Sequence, residues 1–369
     1  MSFIPYLNFF SRWVLFFAVS YKAATTKEKS WVLLSFATFV DALNIESYIL
    51  IPLGLTIKPE AYDVASKIPN FFIAALLGWG ALKLKKRVTT FKDTLYIGLF
   101  LVTAYVWIFL LATQFFDKFP HSFFLKSLYP SLALGGSMIF LGYVLRDYVI
   151  SKRSLEELLP WGLIVIGALN LTFPITRPIP WFAHFGFLIA AVSRLMAAVG
   201  AVVFVFYPIK APSKTPKLVL ESKALIFTKE ETLRRHFPNL FKEANVILIT
   251  RKDPEWIKQN MNQHNIAFWI TRSSEGEING TSIYAISPTK LEILIDLVTK
   301  ELIQGYNIVY MDAFEYIAVE NSFESALKFL LSLRDRILSK RAALVVVLNL
   351  KALNEREKAI LLREFELVE

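Results

Sequence analysis

The sequence predicts two parts: an all-α membrane bundle of seven helices, followed by a soluble α/β domain with a mostly parallel sheet. Three observations support this prediction. Seven apolar stretches lie within residues 1–207, each near the roughly 20 residues that cross a bilayer core. Basic residues alternate between the loops that separate them. Beyond residue 222, short β-branched runs alternate with helix signals, which is typical of an α/β domain.

The seven spans hold much of the apolar content of a chain that is 55% hydrophobic. The first span is interpreted as a retained helix rather than a signal peptide. Arg12 lies inside its apolar run, and the run lacks both a basic leader and a small-residue cleavage site. We therefore expect a membrane domain over residues 1–210, with spans near residues 3–22, 31–53, 68–84, 94–116, 122–144, 158–175 and 180–207.

The distribution of charge predicts the orientation of this domain. The net charge is +10, but residues 211–369 hold 22 Lys/Arg against 21 Asp/Glu, so nearly all of the excess belongs to the membrane part. Because basic residues favour cytoplasmic loops, the N-terminus is expected outside the cell membrane and the C-terminal domain in the cytoplasm. The basic segments are residues 22–30, 85–92, 145–157 and 210–217; the alternate loops are residues 54–67, 117–121 and 176–179.

A short proline-containing linker over residues 211–222 precedes the C-terminal domain, predicted over residues 223–369. Near-continuous apolar runs in this domain predict strands that are buried on both faces. Helices between such strands indicate a parallel sheet covered on both sides. The predicted strands are residues 223–228, 245–250, 266–271, 307–311 and 342–350.

Helix signals separate these strands. Asp253-Pro254 and Ser287-Pro288 each place a capping residue before a proline at the first helical position. Apolar spacing predicts a helix near residues 321–340. Asn354 with Glu357 three residues later predicts a capping box. Residues 273–280 are predicted to form an exposed loop.

Several fragments of this domain resemble a known family when taken together. They are Ile-Thr-Arg-Lys-Asp-Pro-Glu (249–255), Val-Tyr-Met-Asp-Ala-Phe-Glu-Tyr-Ile (309–317), Ser-Phe-Glu-Ser-Ala-Leu-Lys-Phe-Leu (322–330), Leu-Arg-Asp (333–335) and Leu-Asn-Glu-Arg-Glu-Lys (353–358). The family is an archaeal one described as domain of unknown function 835, a truncated-looking relative of RecA/KaiC-type ATPases. The resemblance covers roughly residues 220–369 and implies an archaeal source and a RecA-like topology. It implies no site residue, because the family has no settled activity.

Asp312 follows an apolar strand, as the Mg²⁺-binding aspartate of a nucleotide site does. Such a site also needs a Gly-rich loop with Lys-Ser/Thr to hold the phosphates, and no G-x-x-x-x-G-K-[ST] occurs in the sequence. We therefore interpret Asp312 as a residue that caps the turn after its strand. Arg251 and Lys252 could still bind an anion at a helix N-terminus.

Metal and cofactor chemistry finds little support in the sequence. Cysteine is absent, and the four histidines are scattered without metal-ligand spacing. We expect no metal, no cofactor and no nucleic-acid partner, and an enzyme is the least favoured class.

The carboxyl ends of the predicted strands carry polar residues of both signs. Ligands of open α/β sheets bind at these ends, and mixed charge without a deep-pocket signature suits a protein contact. We expect this rim, together with the 273–280 loop, to bind a cytoplasmic partner or another copy of the chain. The alternative is a solvated rim without a partner. The rim residues are Arg251, Lys252, Thr271, Arg272, Asp312 and Glu315.

Five polar residues interrupt the apolar spans: Arg12, Asp41, Asn44, Glu46 and Arg194. Ionisable groups within a bilayer normally face the bundle interior and pair with one another. We expect Arg194 to pair with Asp41 or Glu46, with Arg12 as the competing cation. The cluster serves either helix packing or a ligand or proton site.

These features favour a seven-helix sensor or receptor-like protein in the lipid bilayer. In it, the membrane domain passes a change of state to a non-catalytic, RecA-like cytoplasmic domain. A small-solute or proton transporter with a regulatory domain is the first alternative. A membrane-anchored scaffold or assembly protein is the second.

Overall fold

A computed structural model of the chain describes residues 3–43, 59–86, 89–150, 154–207, 209–278 and 280–369. The chain divides into two compact units. We call Met1–Val149 with Arg153–Phe206 the helical unit, and Ile150–Lys152 with Tyr207–Glu369 the α/β unit.

Helices occupy nearly all of the described residues in each predicted span. In the helical unit they are α1 (Phe3–Thr26), α2 (Lys29–Leu43), α3 (Pro59–Ala65), α4 (Ile68–Lys85), α5 (Phe91–Ala112), α6 (Ser122–Arg146), α7 (Leu158–Thr176) and α8 (Pro180–Phe206).

Four of the described helices are long and apolar enough to cross a membrane: α5, α6, Leu155–Thr176 (a 3-10 turn continued by α7) and α8. This is compatible with a membrane protein. The sequence predicts seven spans, and this number is not confirmed: α1 and α4 are not among the four helices, and α2 is described for only 15 residues. The rest of its predicted span, residues 44–53, lies outside the described residues.

Six helices of this unit pack as a closed ring in the order α1, α2, α4, α6, α7, α8 and back to α1. The helix α5 lies outside the ring and packs on α3 and α4. Glycines bring α6, α7 and α8 into close contact. A Cβ at Gly135 would lie 2.6 Å from the carbonyl oxygen of Gly167, and a Cβ at Gly200 would lie 2.1 Å from the amide nitrogen of Leu159. This side of the ring therefore has no room for larger side chains at these positions.

The α/β unit contains a mixed eight-stranded sheet with the order β4-β5-β3-β2-β6-β7-β1-β8. The pairing of β4 with β5 is antiparallel, and the other pairings are parallel. The strands are β1 (Ala224–Phe227), β2 (Val246–Thr250), β3 (Ile266–Ile270), β4 (Gly276–Glu277), β5 (Ile283–Ile286), β6 (Ile308–Met311), β7 (Ala343–Val347) and β8 (Glu366–Val368).

The order in which successive strands are added reverses at the middle of this sheet, between β2 and β6. From β2 the chain proceeds through β3 to one edge, and from β6 it proceeds through β7 to the other. Right-handed crossovers then place the connecting helices on opposite faces. Leu233, Leu240 and Ile257 of the first three helices pack with strand residues in one core cluster. The adjacent ends of β2 and β6 thus form the topological switch point, where open α/β sheets bind ligands.

The helices of the α/β unit are α9 (Glu230–His236), α10 (Leu240–Glu243), α11 (Pro254–Asn260), α12 (Leu291–Ile303), α13 (Phe314–Asn321), α14 (Phe323–Ser339) and α15 (Glu355–Glu364). The five predicted strands and the helix near 321–340 are confirmed within a few residues. The capping box is also confirmed, because the Glu357 amide donates to the Asn354 side chain and the Asn354 amide to the Glu357 carboxylate.

Two local predictions are wrong. Ser287-Pro288 does not begin a helix: the Lys290 amide donates to the Ser287 carbonyl in a turn, and α12 begins only at Leu291. The predicted loop 273–280 contains the short strand β4, in which Gly276 lies opposite Ala285 of β5. At Ser287 a hydrogen-bonded turn, and at Gly276 the pairing with β5, determine the backbone conformation more than the residue type does.

Candidate functional site

Two sets of polar side chains were predicted to matter, and each lies within one unit. In the helical unit, Arg12 of α1 and Asp41 of α2 form an ion pair, with 3.7 Å between Nε and Oδ2. A guanidinium nitrogen of Arg12 also donates to the Asp41 carbonyl at 3.4 Å. Arg194 of α8 donates to the oxygen of the Asn8 side-chain amide at 2.9 Å. We call Asn8, Arg12, Asp41 and Arg194 the polar cluster.

The polar cluster connects the consecutive helices α1 and α2 with α8, which lies far along the chain. Arg12 is only 6% exposed and Asn8 only 4%, so the cluster lies inside the ring. Arg12, expected as the competing cation, forms the ion pair with Asp41. Arg194 donates to Asn8, and its predicted pairing with Glu46 stays a prediction. Asn44 and Glu46 lie outside the described residues.

Asn8 was missed in the sequence. One signal could have identified it: Asn8 and Arg12 are four residues apart and therefore share one face of α1. A neutral amide did not stand out beside the charged residues of the spans. Its role became visible only once α8 was placed against α1.

In the α/β unit, Asp312 lies at the switch point, directly after β6. Its carboxylate accepts hydrogen bonds from the Arg251 amide at 3.2 Å and from the Tyr310 hydroxyl at 3.0 Å. A third hydrogen bond joins it to the Thr250 side chain. Burial raises the pKa of Asp312 and outweighs these hydrogen bonds and the nearby Lys252 charge, which act to lower it.

The structure corrects the predicted role of Asp312. We expected it to cap the turn after its own strand, but its carboxylate holds the backbone that follows β2. The register explains this, because β2 and β6 are neighbours with Ile249 opposite Met311. The two strands therefore end together, and the Arg251 amide faces the Asp312 side chain.

Lys252 belongs to a second group of interacting side chains, also at the carboxyl ends of the strands. Its ammonium lies 2.5 Å from a Glu230 carboxylate oxygen and 3.8 Å from the centre of the Trp256 ring. Arg234 binds the other oxygen of Glu230 at 2.8 Å. Burial alone would raise the pKa of Glu230, but the hydrogen bonds from Lys252 and Arg234 outweigh it, so the net pKa is lowered.

The remaining rim residues also have partners. The Arg251 guanidinium lies 4.0 Å from the centre of the Tyr316 ring and donates to the Ile270 carbonyl at 2.7 Å. Arg272 forms an ion pair with Glu320. The Glu315 carboxylate accepts a hydrogen bond from the backbone amide of Asn349 at 2.8 Å.

Thr271 completes the predicted rim and bonds Ser273 through its hydroxyl at 2.9 Å. The rim charges are thus engaged by neighbouring residues of the same unit. Sequence reasoning missed Tyr310, Glu230 and Trp256, the three groups that engage Asp312 and Lys252. Among the described residues, no group of three or more His, Asp or Glu could hold a metal ion.

Comparison with known proteins concerns the α/β unit. Residues 226–365 match the model of a family described as "Protein of unknown function (DUF835)". This match supports the family resemblance of the sequence fragments in the C-terminal domain. No curated protein and no solved structure matches the chain.

Proposed function

We propose that the chain is a multi-pass membrane protein of sensor or receptor type. A change of state in the helical unit reaches a cytoplasmic α/β domain, which then acts by binding a partner and without catalysis. The single observation that carries this proposal is the polar cluster, in which an ion pair and a charged hydrogen bond join α1 to α2 and α8.

Such a cluster suits a two-state element. Ionisable groups within a bilayer are costly unless they are paired, so they mark functional positions. A ligand or proton that changes the Arg12–Asp41 pair would favour a different arrangement of α1 and α2, because it binds the two arrangements unequally. The glycine-packed helices α6, α7 and α8 leave less room for movement, so the change would concern α1 and α2.

The proposal includes seven spans, an outside N-terminus and a cytoplasmic α/β domain. Helices within each predicted span and the alternation of basic loops support it. It also includes an archaeal source and a RecA-like relationship for the α/β domain. The family match over residues 226–365 and the parallel strands around a switch point support these parts.

The rim is proposed as an output surface rather than a phosphate site. Lys252 and Arg272 already bind carboxylates, and Arg251 lies on Tyr316. An incoming phosphate would have to displace these partners. Beside them, Val319 on the outer face of α13 is 82% exposed, which gives the rim an apolar contact point. We propose that this surface binds a cytoplasmic protein or a second copy of the chain.

Hydrogen exchange on the intact protein in lipid nanodiscs tests the relay. Asp41→Asn removes the charge that pairs with Arg12 without removing bulk. The relay predicts altered amide exchange both in α1 and α2 and in the segment from the end of β6 through α13. Altered exchange in α1 and α2 alone, with none in the α/β unit, would refute the relay.

The matched control for this experiment is Thr172→Val. The Thr172 hydroxyl is exposed and bonds to carbonyls of its own helix, Ala168 and Leu169. The substitution should leave exchange in the α/β unit unchanged. Any effect of Asp41→Asn that the control shares would reflect general loosening of the bundle.

A proton or solute transporter remains the second candidate, since the Arg12–Asp41 pair would also suit a proton or ion path. Flux through proteoliposomes separates the two. The sensor proposal predicts no flux above that of empty vesicles. Flux that Asp41→Asn abolishes would instead assign the pair to transport.

A further inference from the structure

Two cations lie on aromatic rings at one end of the helical unit. Lys85 is the last residue of α4, and its ammonium lies 5.7 Å from the centre of the Tyr143 ring on α6. Arg146 is the last residue of α6, and its guanidinium carbon lies 5.1 Å from the centre of the Trp161 ring, near the start of α7. Both rings are exposed, Tyr143 by 57% and Trp161 by 42%. The cations adjoin the basic segments 85–92 and 145–157, so this is the end of the bundle expected to face the cytoplasm.

The two cation–ring pairs lie on either side of a close contact between α6 and α7. A Cβ at Gly142 would lie 2.7 Å from the carbonyl oxygen of Pro160. The two helices therefore touch one residue before Tyr143 on α6 and one residue before Trp161 on α7. Arg146 follows Tyr143 by three residues and lies beside it on the surface of α6. Both cations are thus placed next to Tyr143, Lys85 through its ammonium and Arg146 as a neighbour on the same helix.

The charges of Lys85 and Arg146 differ in their surroundings from those of the rim. Within the described residues, these two cations contact aromatic rings, and neither forms an ion pair. Lys86, by contrast, lies 2.7 Å from a carboxylate oxygen of Asp93. An aromatic ring attracts a cation but takes up few of its N–H donors. Lys85 and Arg146 can therefore still bind an anion.

An open position interrupts the outer face of α6 near these cations. Leu132, Gly136 and Tyr143 share this face, because separations of four and seven residues return to the same side of a helix. All three are exposed, and no atom of the described residues lies within 4 Å of the position that a Cβ at Gly136 would take. Gly135 and Gly142 differ, since α7 packs against both. Gly136 therefore leaves a depression between two exposed side chains.

The length of this face matches one leaflet of a bilayer. Leu132 and Tyr143 are eleven residues apart, which corresponds to roughly 16 Å along a helix axis. One leaflet contributes half of a hydrocarbon core about 30 Å thick. A hydrocarbon chain that begins beside Tyr143 can therefore pass over Gly136 and reach Leu132.

Cations at a membrane boundary, with an apolar depression leading away from them, fit a lipid with a negative headgroup. A phosphate diester accepts charge-assisted hydrogen bonds from both an ammonium and a guanidinium. A zwitterionic headgroup carries a cation of its own, which Lys85 and Arg146 would repel. Basic residues between membrane helices on the cytoplasmic side are typical binding sites for anionic headgroups.

We propose that Lys85 and Arg146 bind the phosphate of an anionic phospholipid, and that one hydrocarbon chain of this lipid lies over Gly136. Tyr143 and Trp161 hold the two cations at the level of the headgroup. The site requires that the helical unit spans a bilayer, and it goes beyond the sensor function, because a transporter or a scaffold could hold the same lipid. Each cation should contribute about fivefold to the affinity for an anionic lipid.

Native mass spectrometry of the delipidated intact chain in detergent tests the site. The chain is titrated with dioleoyl-phosphatidylglycerol or with dioleoyl-phosphatidylcholine, which have the same hydrocarbon chains and differ in headgroup charge. The expected result is one tight site for phosphatidylglycerol, which phosphatidylcholine occupies much less readily. Equal affinities would overturn the proposal. Inorganic phosphate should leave the lipid bound, since it lacks the hydrocarbon chain, and displacement by it would show that the cations bind free anions instead.

Two double variants test the headgroup contacts. Lys85→Gln with Arg146→Gln should weaken phosphatidylglycerol binding about 25-fold, fivefold for each cation, and leave phosphatidylcholine binding unchanged. Lys27→Gln with Lys29→Gln is the matched control, because it removes the same charge from exposed residues of another basic segment. The control should retain the tight site. Retention of the tight site in the first double variant, or an equal loss in both, would refute the assignment.

Gly136→Leu tests the position of the hydrocarbon chain. The added side chain fills the depression and should abolish the tight site. Gly98→Leu is its control on α5, where the glycine is also exposed and no atom of the described residues lies within 4 Å of the Cβ position. The control should bind phosphatidylglycerol as the parent does. Melting temperatures in lipid-free detergent should be equal for the two variants, so that lost binding is not unfolding. Retention of the tight site in Gly136→Leu would refute the contact over Gly136.

The lipid site and the relay can fail separately. Lipid binding reports only on the helical unit, so its absence leaves the hydrogen-exchange result for the relay standing. Conversely, a tight phosphatidylglycerol site in a chain without any relay would keep the lipid site and refute the sensor function.

Discussion

The two units place their charged side chains in opposite ways. In the helical unit, the partners in the polar cluster come from different helices, and residue 12 contacts residue 41 while residue 194 contacts residue 8. In the α/β unit, the rim charges are held by the backbone and side chains around one sheet edge. Contacts between separate helices change when helices move. Under the proposed function, the change of state would therefore begin in the helical unit, and the rim of the α/β unit would respond to it as the contact surface.

Within the helical unit, the largest expected effect concerns the glycine-packed side of the ring. Gly200→Leu should prevent folding, because even its Cβ would lie 2.1 Å from the Leu159 amide nitrogen. Overpacking commonly costs about 1–3 kcal/mol, and a clash with backbone lies above that range. Gly136→Leu is the matched control, since no atom lies within 4 Å of its Cβ position. Yield and melting temperature in detergent compare the two, and equal behaviour would refute the close packing of α7 and α8.

The next effect is the dependence of the bundle on the ion pair. Asp41→Ala removes the carboxylate that pairs with Arg12 among the described residues and should destabilise the chain by about 3 kcal/mol, as when a buried pair loses one member. The double variant Arg12→Met with Asp41→Leu should recover most of this loss, since it removes both charges and keeps the volume. Thermal unfolding in nanodiscs measures both. A double variant as unstable as the single one would show that the two residues act separately.

The smallest expected effects are pH dependences at the rim, and they have opposite signs. The pKa of Glu230 is lowered in the folded state, so its ion pairs add stability above its ordinary value of 4.5 and lose it as the pH falls. The pKa of Asp312 is raised, so its contribution is greatest below its ordinary value of 3.8 and declines as the pH rises through the raised pKa.

Glu230→Gln and Asp312→Asn separate these contributions. Since Glu230 and its partners are partly exposed, Glu230→Gln should cost at most about 1 kcal/mol at neutral pH and nothing in acid. Asp312→Asn should remove the decline in stability that the Asp312 carboxyl causes as the pH rises toward neutral. Denaturant unfolding of the intact chain, from about pH 3 to about pH 8, measures both differences. If the stability differences between parent and variant changed with pH in the same direction for both variants, this result would contradict the burial of Asp312.

The sequence predicted five strands of the sheet and missed others. The five strands that it identified are runs of buried apolar residues, such as Val246–Thr250. It missed β5 (Ile283–Ile286), although this strand has the same four buried residues as the identified strands β1 and β6, and it missed β8, which has three residues.

The site was predictable in composition but not in pairing. Hydropathy identifies Arg12, Asp41 and Arg194 as polar residues within apolar spans. The partner of each depends on the rotation of its helix and on the order of helices in the ring, which neither spacing nor composition specifies. The partners of the rim residues likewise depend on the tertiary fold, which brings residues from different strands and helices together. Lys252 and Glu230 are 22 residues apart in sequence. They meet because the carboxyl ends of β1 and β2, which they follow, lie on the same side of the parallel sheet.

A single fluorescent reporter tests the relay from the helical unit to the rim most directly. The chain contains no cysteine, so Val319→Cys, at an exposed position, can carry an environment-sensitive dye as its sole label. In lipid nanodiscs, Asp41→Asn should change the emission of this dye, while Thr172→Val should leave it as in the parent. Identical emission in all three proteins, with the dye still responsive to added denaturant, would contradict the account.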